Sequence, residues 1–242
     1  MGRLNLSVII PCYNERDNIP LIVERINHSF LGRDNVEIIL VDNGSTDQSD
    51  AVFAEQLAGQ SRIRSVRINH NKGYGYGILV GLDAARNADV YAWTHADMQT
   101  DPRDVLAAFD LFCSHETGAV VVKGKRSNRP IIDTAFTYLM QIIASLALGT
   151  SVDDVNAQPK VFSKHFYETF IRMQAPWDFS LDLFLLYQAR HAGLEILEVP
   201  VLFANRIHGE SKGGGSWRTR TKLIFRTLAY ILELRRKLNH SD

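Results

Sequence analysis

The chain has 242 residues, of which 45% are apolar and 22% are charged, so its composition is that of a folded globular protein and not of a disordered one. Its 27 basic and 27 acidic side chains cancel. The two cysteines, Cys12 and Cys113, make no disulfide framework and suit a reducing compartment. Because no run of about 18 uncharged apolar residues occurs, we expect no membrane-spanning helix. The strand-like run close behind Met1 predicts no signal peptide.

The first half of the sequence alternates Val- and Ile-rich runs with apolar residues at helical spacing. Strands are predicted at residues 6–10, 36–41, 63–68, 90–94 and 119–123. Helices are predicted at residues 18–30, 46–57, 75–86 and 102–113, the last with Asp101 as its N-cap and Pro102 as its first residue. This order predicts an α/β fold with a mostly parallel central sheet and helices on both faces.

The second half is less regular and ends in a basic segment. Its predicted elements are a helix at 131–148, a strand at 159–163, a helix at 181–191, a strand at 195–202 and a helix at 221–237. From Arg206 onward nine Lys and Arg residues stand against three acids, a balance of 9 − 3 = +6. Such an end either meets phosphate or a membrane surface, or is a solvated basic helix.

Polar segments follow each of the first five predicted strands. In an open parallel sheet ligands bind beyond the carboxyl ends of the strands. The five segments therefore predict a binding site on one rim of the sheet, and they are residues 11–15, 42–45, 69–73, 95–99 and 124–129. Taken alone, the segment at Asp42 is equally well explained as a turn with a helix N-cap.

The glycines Gly73, Gly75 and Gly77 have the spacing GxGxG. A dinucleotide fingerprint requires GxGxxG between a strand and the helix directly after it. The first strand, where that motif usually falls, is followed here by PCYNE. The glycines therefore do not favour a nicotinamide cofactor.

Asp97 and Gln99 follow the fourth strand two residues apart, so in an extended loop both side chains point to one side. Two oxygen ligands, completed by phosphate oxygens and water, suit Mg²⁺ or Mn²⁺. The simpler alternative, a solvated loop ahead of a helix, accounts for Asp101 but not for this pair.

The ordered motifs PCYNE, VDNGSTD, NKGYG and ADMQTDP resemble those of family 2 glycosyltransferases with the GT-A fold. The later KGKRSNR, WDFSLDLFL and EVPVLFANRIHGESK resemble the dolichyl- and polyprenyl-phosphate sugar transferase branch of that family, typified by dolichol-phosphate mannosyltransferase. The resemblance extends from Ser7 to Lys212. It implies a GT-A catalytic domain over residues 1–217 and leaves residues 218–242 as an amphipathic basic helix.

The resemblance also implies roles for individual residues. The base and ribose of a nucleotide-sugar donor would be lined by Pro11, Tyr13, Glu15 and Asp42, with Asn43, Lys72 and Gly73 beside them. Asp97 and Gln99 would hold Mg²⁺ or Mn²⁺ on the diphosphate. Phosphates of the donor or acceptor would be contacted by Arg206, Ser211 and Lys212, with Arg126 and Arg129 as similar candidates.

His95 departs from the family pattern, which has an aspartate at this position. Three interpretations stay open. The metal rests on Asp97 and Gln99; or His95 bonds a ribose or phosphate; or the metal site is weakened. Imidazole is a poor ligand for Mg²⁺ and a better one for Mn²⁺.

The family is inverting, which implies a single displacement at the anomeric carbon. An ionised lipid phosphate acceptor needs no strong base, whereas a hydroxyl acceptor does. Asp182 would be that base for a hydroxyl and would otherwise orient the acceptor or a basic residue. A transferase to a polyprenyl phosphate or glycolipid is the leading expectation. A transferase to a saccharide hydroxyl in surface polysaccharide synthesis, or a non-catalytic nucleotide-sugar-binding module, is the alternative.

The predicted helices at 131–148 and 221–237 are candidates for docking on a membrane surface. The first is mostly apolar, and the second mixes apolar with basic residues. Apolar burial together with Lys and Arg fits an interfacial helix, and packing in the core or a dimer contact fits equally. We expect a cytoplasmic protein with peripheral contact to the cytoplasmic membrane face. The basic residues lack interleaved stacking aromatics beyond Trp217, so we expect no nucleic-acid partner.

Overall fold

A computed structural model describes residues 3–127, 154–204, 206–208 and 230 of the chain. The first strands and helices alternate as β1 (Leu6–Cys12), α1 (Ile19–Ser29), β2 (Val36–Asn43), α2 (Ser49–Gln56), β3 (Ile63–Ile68), α3 (Tyr74–Ala84), β4 (Val90–Trp93), α4 (Pro102–Ser114) and β5 (Val120–Ser127). They are followed by β6 (Lys160–Ser163), a short helix α5 (Lys164–Phe166) that continues into a π-helical turn (Tyr167–Ile171), α6 (Leu181–His191) and β7 (Glu195–Leu202). The predicted helices at 131–148 and 221–237, and the domain boundary at 217, lie outside the described residues.

The seven strands form one sheet in the order β3-β2-β1-β4-β6-β5-β7. β6 runs antiparallel to both of its neighbours, and the other pairs are parallel. The predicted mostly parallel α/β sheet is therefore confirmed. Because β6 is reversed, its first residue, Lys160, lies at the rim where the parallel strands end.

Both faces of the sheet are buried. Alternate strand residues such as Val8 and Leu40 pack with α1, α2 and α4, while Ile9, Ile39 and Trp93 pack with α3, α6 and the π-helical turn. This explains why β1, β2 and β4 have nearly continuous apolar runs, whereas the edge strands β3 and β7 are partly exposed and mix in charged residues. Within the described ranges, no helix has the length and apolar content needed to cross a membrane.

Helix α2 begins at Ser49, three residues later than predicted. The backbone N–H of Thr46 donates to the Asn14 side chain at 2.8 Å, and Gln48 has a left-handed φ of 66°. The segment predicted as the first helical turn is therefore a loop tied to the end of β1.

Strand β5 extends to Ser127, whereas we predicted its end at residue 123 and a loop over residues 124–129. Pairing with β7 continues in register from Val120 opposite Glu195 to Ser127 opposite Leu202. A side chain at Gly124 would overlap the backbone of Gln158, so glycine lets the strand pass that point. Arg126 consequently lies in a strand and not in a rim loop.

Helix α4 begins as predicted. Asp101 Oδ1 accepts from the backbone N–H of Arg103 at 2.8 Å, and Asp104 Oδ2 accepts from the backbone N–H of Asp101 at 3.3 Å. This reciprocal capping satisfies N–H groups that have no partner inside the helix. Asp101 is thereby assigned to the fold and separated from its neighbours Asp97 and Gln99.

Candidate active site

A cleft of about 460 Å³ opens at the rim formed by the carboxyl ends of the first strands. Nine of the residues predicted for binding or metal are among the described residues that line it: Pro11, Tyr13, Glu15, Asn43, Gly73, His95, Asp97, Gln99 and Arg206. Asp42, Lys72, Arg126 and Asp182 are not part of this lining. Arg129, Ser211 and Lys212 lie outside the described residues.

Asp97 stands at the bend of the loop between β4 and α4, residues 94–101, called the acidic loop below. Met98, next to it, has a left-handed φ of 61°, and Asp97 Oδ1 accepts from the backbone N–H of Gln99 at 3.2 Å. The other oxygen, Oδ2, accepts from Arg206 Nη2 at 2.7 Å. Asp97 is 8% exposed, so this carboxylate is held in one orientation at the cleft wall.

Gln99 joins the acidic loop to the segment after β7. Its side-chain Nε2 donates to the Ala204 carbonyl at 3.1 Å, and its backbone carbonyl accepts from the Ala204 N–H at 2.9 Å. The Gln99 amide is therefore engaged with the backbone of that segment through its nitrogen.

The acidic loop fits a divalent cation only if a ligand completes the site. The residues that the structure describes contain no group of three or more His, Cys, Asp or Glu side chains able to hold a metal ion. Mg²⁺ is typically held by one or two carboxylates plus the phosphates of the substrate. Asp97, with Gln99 beside it, suits a cation shared with a diphosphate and does not form a metal cage of its own.

His95 lies between the acidic loop and the aromatic floor of the cleft. Its ring centroid is 6.0 Å from that of Tyr74. Burial lowers the pKa of His95, against the opposing pull of Asp97 and Asp182. Its imidazole is therefore neutral at pH 7, the form that donates one hydrogen bond and accepts another.

Asp42 and Asn43 end β2 with different surroundings. Asp42 is 2% exposed, and its Oδ1 accepts from the backbone N–H of Ser45 at 2.9 Å. Asn43 Nδ2 donates to the Gly73 carbonyl at 3.0 Å, while its buried Oδ1 has no hydrogen-bond partner within the described part of the chain. Asn43 thus offers an acceptor to a ligand N–H in the cleft, and Asp42 shapes the turn beneath it.

The GxGxG glycines make room for a second loop. A side chain at Gly73 would overlap the Trp177 carbonyl, and one at Gly75 would lie 2.5 Å from the Pro176 carbonyl oxygen. The Tyr76 N–H donates to the Trp177 carbonyl at 2.9 Å. The motif therefore seats residues 176–178 against α3, which brings Asp178 and Phe179 to the cleft.

Lys72, predicted to bind the nucleotide, directs its side chain to Tyr76 and to the second loop, residues 176–178, instead. Its Nζ is 5.0 Å from the centre of the Tyr76 ring and 5.9 Å from that of the half-exposed Trp177. Both contacts are cation–π interactions.

Asp182, predicted to act as a base or to orient another group, is buried beneath the cleft. Its Oδ1 accepts from Gln158 Nε2 at 2.8 Å and from Trp93 Nε1 at 3.3 Å, and it lies 3.4 Å from Lys160 Nζ. Burial lowers the pKa of Lys160 to about 8, although Asp182 raises it. At 2% exposure and with these donors, Asp182 is placed to fix its neighbours.

Tyr74 connects this buried group to the cleft. Its hydroxyl accepts from Gln158 Nε2 at 3.3 Å, and its ring stacks on Phe179 with centroids 4.9 Å apart. Burial, followed by the Asp182 carboxylate, raises the pKa of Tyr74 well above its usual value. Tyr74 is therefore a neutral, fixed part of the cleft floor.

Arg126 is engaged away from the cleft. Its side chain pairs with Asp154 through Nε at 3.0 Å and through Nη2, and its guanidinium lies 5.4 Å from the centre of the Phe203 ring. A role in binding phosphate would require this ion pair to open.

Tyr74, Asp178 and Phe179 also line the cleft, although the sequence did not single them out as site residues. Asn71 lines it too, within the predicted segment 69–73. Tyr74 stands inside the NKGYG motif, from which the resemblance implies roles for Lys72 and Gly73 alone. Asp178 and Phe179 stand inside WDFSLDLFL, from which it implies a role for Asp182 alone. Lys160 begins the antiparallel strand β6, and Gln158 lies just before it. A search for polar residues after the carboxyl ends of strands therefore does not find them.

A mixed seven-stranded sheet of this order, flanked by helices and with a cleft at its rim, is the architecture of GT-A glycosyltransferases. The chain belongs to glycosyl transferase family 2, whose sequence model matches residues 7–176, more than half of its length.

Among curated proteins, the chain is 30% identical over 223 residues to the polyprenol monophosphomannose synthase of Mycolicibacterium smegmatis, covering 86% of this chain and 81% of that protein. It is 28% identical over 215 residues to the undecaprenyl-phosphate 4-deoxy-4-formamido-L-arabinose transferase of Photorhabdus laumondii. The match covers 86% of this chain but only 62% of that transferase.

Solved structures confirm the GT-A fold. A mannosyltransferase from Pyrobaculum calidifontis in complex with GDP-Man and Mn²⁺ gives a TM-score of 0.69 at 20% identity, covering 96% of this chain and 65% of its own. Glucosyl-3-phosphoglycerate synthase from Mycobacterium tuberculosis with UDP gives 0.74 at 18% identity, covering 96% and 80%. At these identities the likeness establishes the fold alone.

Proposed function

We propose that the chain transfers a hexose from a GDP- or UDP-sugar to a polyprenyl phosphate or related lipid-linked acceptor, with inversion and with Mg²⁺ or Mn²⁺. The observation that supports it is the convergence of Asp97, Glu15 and Arg206 in one cleft at the strand ends. A carboxylate for a cation and an arginine for phosphate are the groups that stabilise a departing diphosphate.

The chain's own residues would divide the work by position. Asn43, whose Oδ1 has no partner among the described residues, and Tyr13 lie on the side of β1 and β2 and would hold the nucleoside. Asp97 and Gln99 would hold the cation, which supplies positive charge to the diphosphate. Arg206, with Ser211 and Lys212 further along the chain, would bind phosphate oxygens by charge-assisted hydrogen bonds.

A lipid phosphate acceptor fits the surroundings of Asp182 better than a hydroxyl does. A phosphate attacks as an anion and needs no base. Asp182 is buried, accepts from Gln158 and Trp93, and is outside the lining of the cleft. These contacts favour a positioning role for Asp182, through Tyr74 and Gln158, over proton abstraction.

A donor screen tests the proposal. Purified protein is incubated with GDP- and UDP-sugars, Mn²⁺ and short-chain polyprenyl phosphate, and the product is extracted into organic solvent. We expect a lipid-soluble sugar product that EDTA abolishes. Product that stays in water with a saccharide acceptor would support the polysaccharide alternative, and donor binding without any turnover would support a non-catalytic module.

The same assay addresses His95. H95D restores the aspartate of the family pattern and adds a carboxylate beside Asp97. We expect it to keep turnover and to shift the metal preference from Mn²⁺ toward Mg²⁺. An unchanged preference would indicate that His95 is remote from the cation.

We further propose that the protein works at the cytoplasmic face of a membrane through its basic C-terminal segment. The +6 balance from Arg206 onward supports this. Sedimentation with anionic and with neutral vesicles, comparing the wild type with a variant carrying glutamine at Arg235, Arg236 and Lys237, is the test. Equal binding of both proteins to anionic vesicles would refute this attachment.

A further inference from the structure

The Arg206 guanidinium lies between two carboxylates. Its Nη2 is 2.7 Å from Asp97 Oδ2, and its Nη1 is 3.5 Å from Glu15 Oε1. The three side chains are only 18%, 11% and 10% exposed, respectively. At this depth, screening by water and salt is weak, so each contact constrains the others.

The backbone on both sides of Arg206 is held as well. Ala204 pairs with Gln99 by two hydrogen bonds of 2.9 and 3.1 Å, and Asn18 Nδ2 donates to the His208 carbonyl at 3.4 Å. Asn18 Nδ2 also donates to Glu15 Oε2 at 2.5 Å. Arg206 is therefore presented to the cleft by attachments before and after it in the chain.

The contact between Arg206 and Asp97 uses an oxygen that a cation would need. Asp97 Oδ1 accepts from the Gln99 N–H, so Oδ2 is the oxygen left for a ligand in the cleft. This same Oδ2 accepts from Arg206. A guanidinium and a divalent cation on that oxygen would repel each other. Glu15, by contrast, can keep its contact with Arg206 while Asp97 exchanges one positive partner for another.

We propose that Arg206 is the resident counter-cation of Asp97 in the donor-free protein, and that Glu15 is the positioning residue that retains Arg206 when a cation and a diphosphate arrive together. Arg206 then leaves Asp97 for the diphosphate without leaving the cleft. The inference rests on the proposed role of Asp97 toward the cation. Its consequence is that the cation alone binds weakly and the nucleotide is needed to displace the arginine.

Binding of Mn²⁺ alone, measured by electron paramagnetic resonance of the free ion, tests the first half. R206Q removes the resident charge, and we expect it to bind Mn²⁺ about tenfold more tightly than the wild type, since a charge-assisted hydrogen bond is removed from competition. The matched control is R103Q, which removes an exposed arginine paired with Asp101 at 2.9 Å and leaves Asp97 untouched. Equal affinity of R206Q and R103Q would overturn the counter-cation role.

Repeating the titration with GDP or UDP separates displacement from plain repulsion. If Arg206 moves to the diphosphate, nucleotide must tighten Mn²⁺ binding by a larger factor in the wild type than in R206Q, because only the wild type gains the contact between arginine and phosphate. An equal factor in both proteins would mean that Arg206 only repels the cation, and would overturn the proposal. D97N keeps the two inferences distinct: Mn²⁺ binding that survives D97N refutes the metal role of Asp97 itself.

A double-mutant cycle tests Glu15. E15Q keeps an acceptor for Asn18 but removes the charge opposite Arg206. We expect E15Q to weaken binding of nucleotide with Mn²⁺ and to add nothing further in the R206Q background, because residues in one network are not additive. Additive losses would show that Glu15 acts on the nucleotide directly, and no loss in E15Q would show that it does not hold Arg206.

Discussion

Two aspartates at the same rim of the sheet have opposite surroundings. Asp97 follows β4 on a loop, faces the cleft and, among the residues that the structure describes, has one ionic partner, Arg206. Asp182 stands in the first turn of α6, is buried, and is surrounded by Trp93, Gln158 and Lys160. A carboxylate with a single exchangeable partner is suited to bind a ligand, whereas one enclosed by fixed donors is suited to hold a structure. The partners of these two carboxylates, more than their residue type, separate a binding role from a structural one.

Substitution of Asp97 is expected to have the largest effect. D97N should lower turnover by about 10²–10³-fold, because it removes the charge that holds the cation on the diphosphate. Its unfolding transition in urea should stay close to that of the wild type. D101A is the matched control: it should cost about 1 kcal/mol of stability by loss of the helix cap and leave turnover intact. If D97N instead loses stability and keeps its rate, Asp97 has a structural role and does not hold the cation.

Substitution of Asp182 should act on stability first. D182A leaves Lys160 buried without its ionic partner, and breaking a buried pair in this way costs about 3–5 kcal/mol. Urea unfolding followed by circular dichroism measures the loss. The double variant K160M/D182L, which replaces both charges with apolar side chains, should recover most of it. Wild-type stability in D182A, with a rate lost only on hydroxyl acceptors, would identify Asp182 as a base.

A smaller effect is expected from the glycines that seat the second loop. G73A places a side chain against the Trp177 carbonyl at a φ of 126°, so we expect a loss of about 2–3 kcal/mol and weaker nucleotide binding as Asp178 and Phe179 shift. G59A is the control, because Gly59 also has a positive φ but nothing within 4 Å of an added side chain. It should cost about 1 kcal/mol, through backbone strain alone. Equal losses in both variants would remove the overlap with the second loop as a cause.

The smallest effect concerns pH. Burial lowers the pKa of His95 in the folded chain, so below about pH 6.5 the unfolded chain binds more protons than the folded one does. Stability should therefore fall as the pH is lowered from 7 through the range below 6.5. H95N should show a shallower fall in melting temperature over that range, measured in EDTA. Parallel curves for both proteins would place the acid sensitivity elsewhere.

Regular elements of the fold were predictable because their signals are local. The apolar runs of β1 and β2 and the helical spacing of α1 and α4 give the elements and their faces directly. The start of α2 was missed because the N–H of Thr46 is taken by Asn14, a partner 32 residues away. The length of β5 was missed because it is set by pairing with β7. Neither contact can be inferred from the residues near α2 or β5 in the sequence.

The candidate site divides in the same way. Asp97, Gln99 and Glu15 were found because polar residues at the ends of strands are visible in the sequence. The engagement of Arg206 with Asp97 joins positions 109 residues apart, and the burial of Asp182 depends on Trp93, 89 residues away. Such pairings follow from the folded topology, so the sequence offered Asp182 as a base and Arg126 as a phosphate ligand without showing their partners.

Residues 176–178 pack on Gly73 and Gly75 at the start of α3, and this contact also bears on the order in which the chain folds. The residues that close this side of the cleft are made about one hundred positions after the glycines that receive them. During synthesis on a ribosome, strands β1 to β4 can therefore pair well before residues 176–178 are available to close the cleft. Because contacts of such long sequence separation carry a high loop-closure cost, this wall should form late in folding. Ligand affinity would then be the last property that the nascent chain acquires.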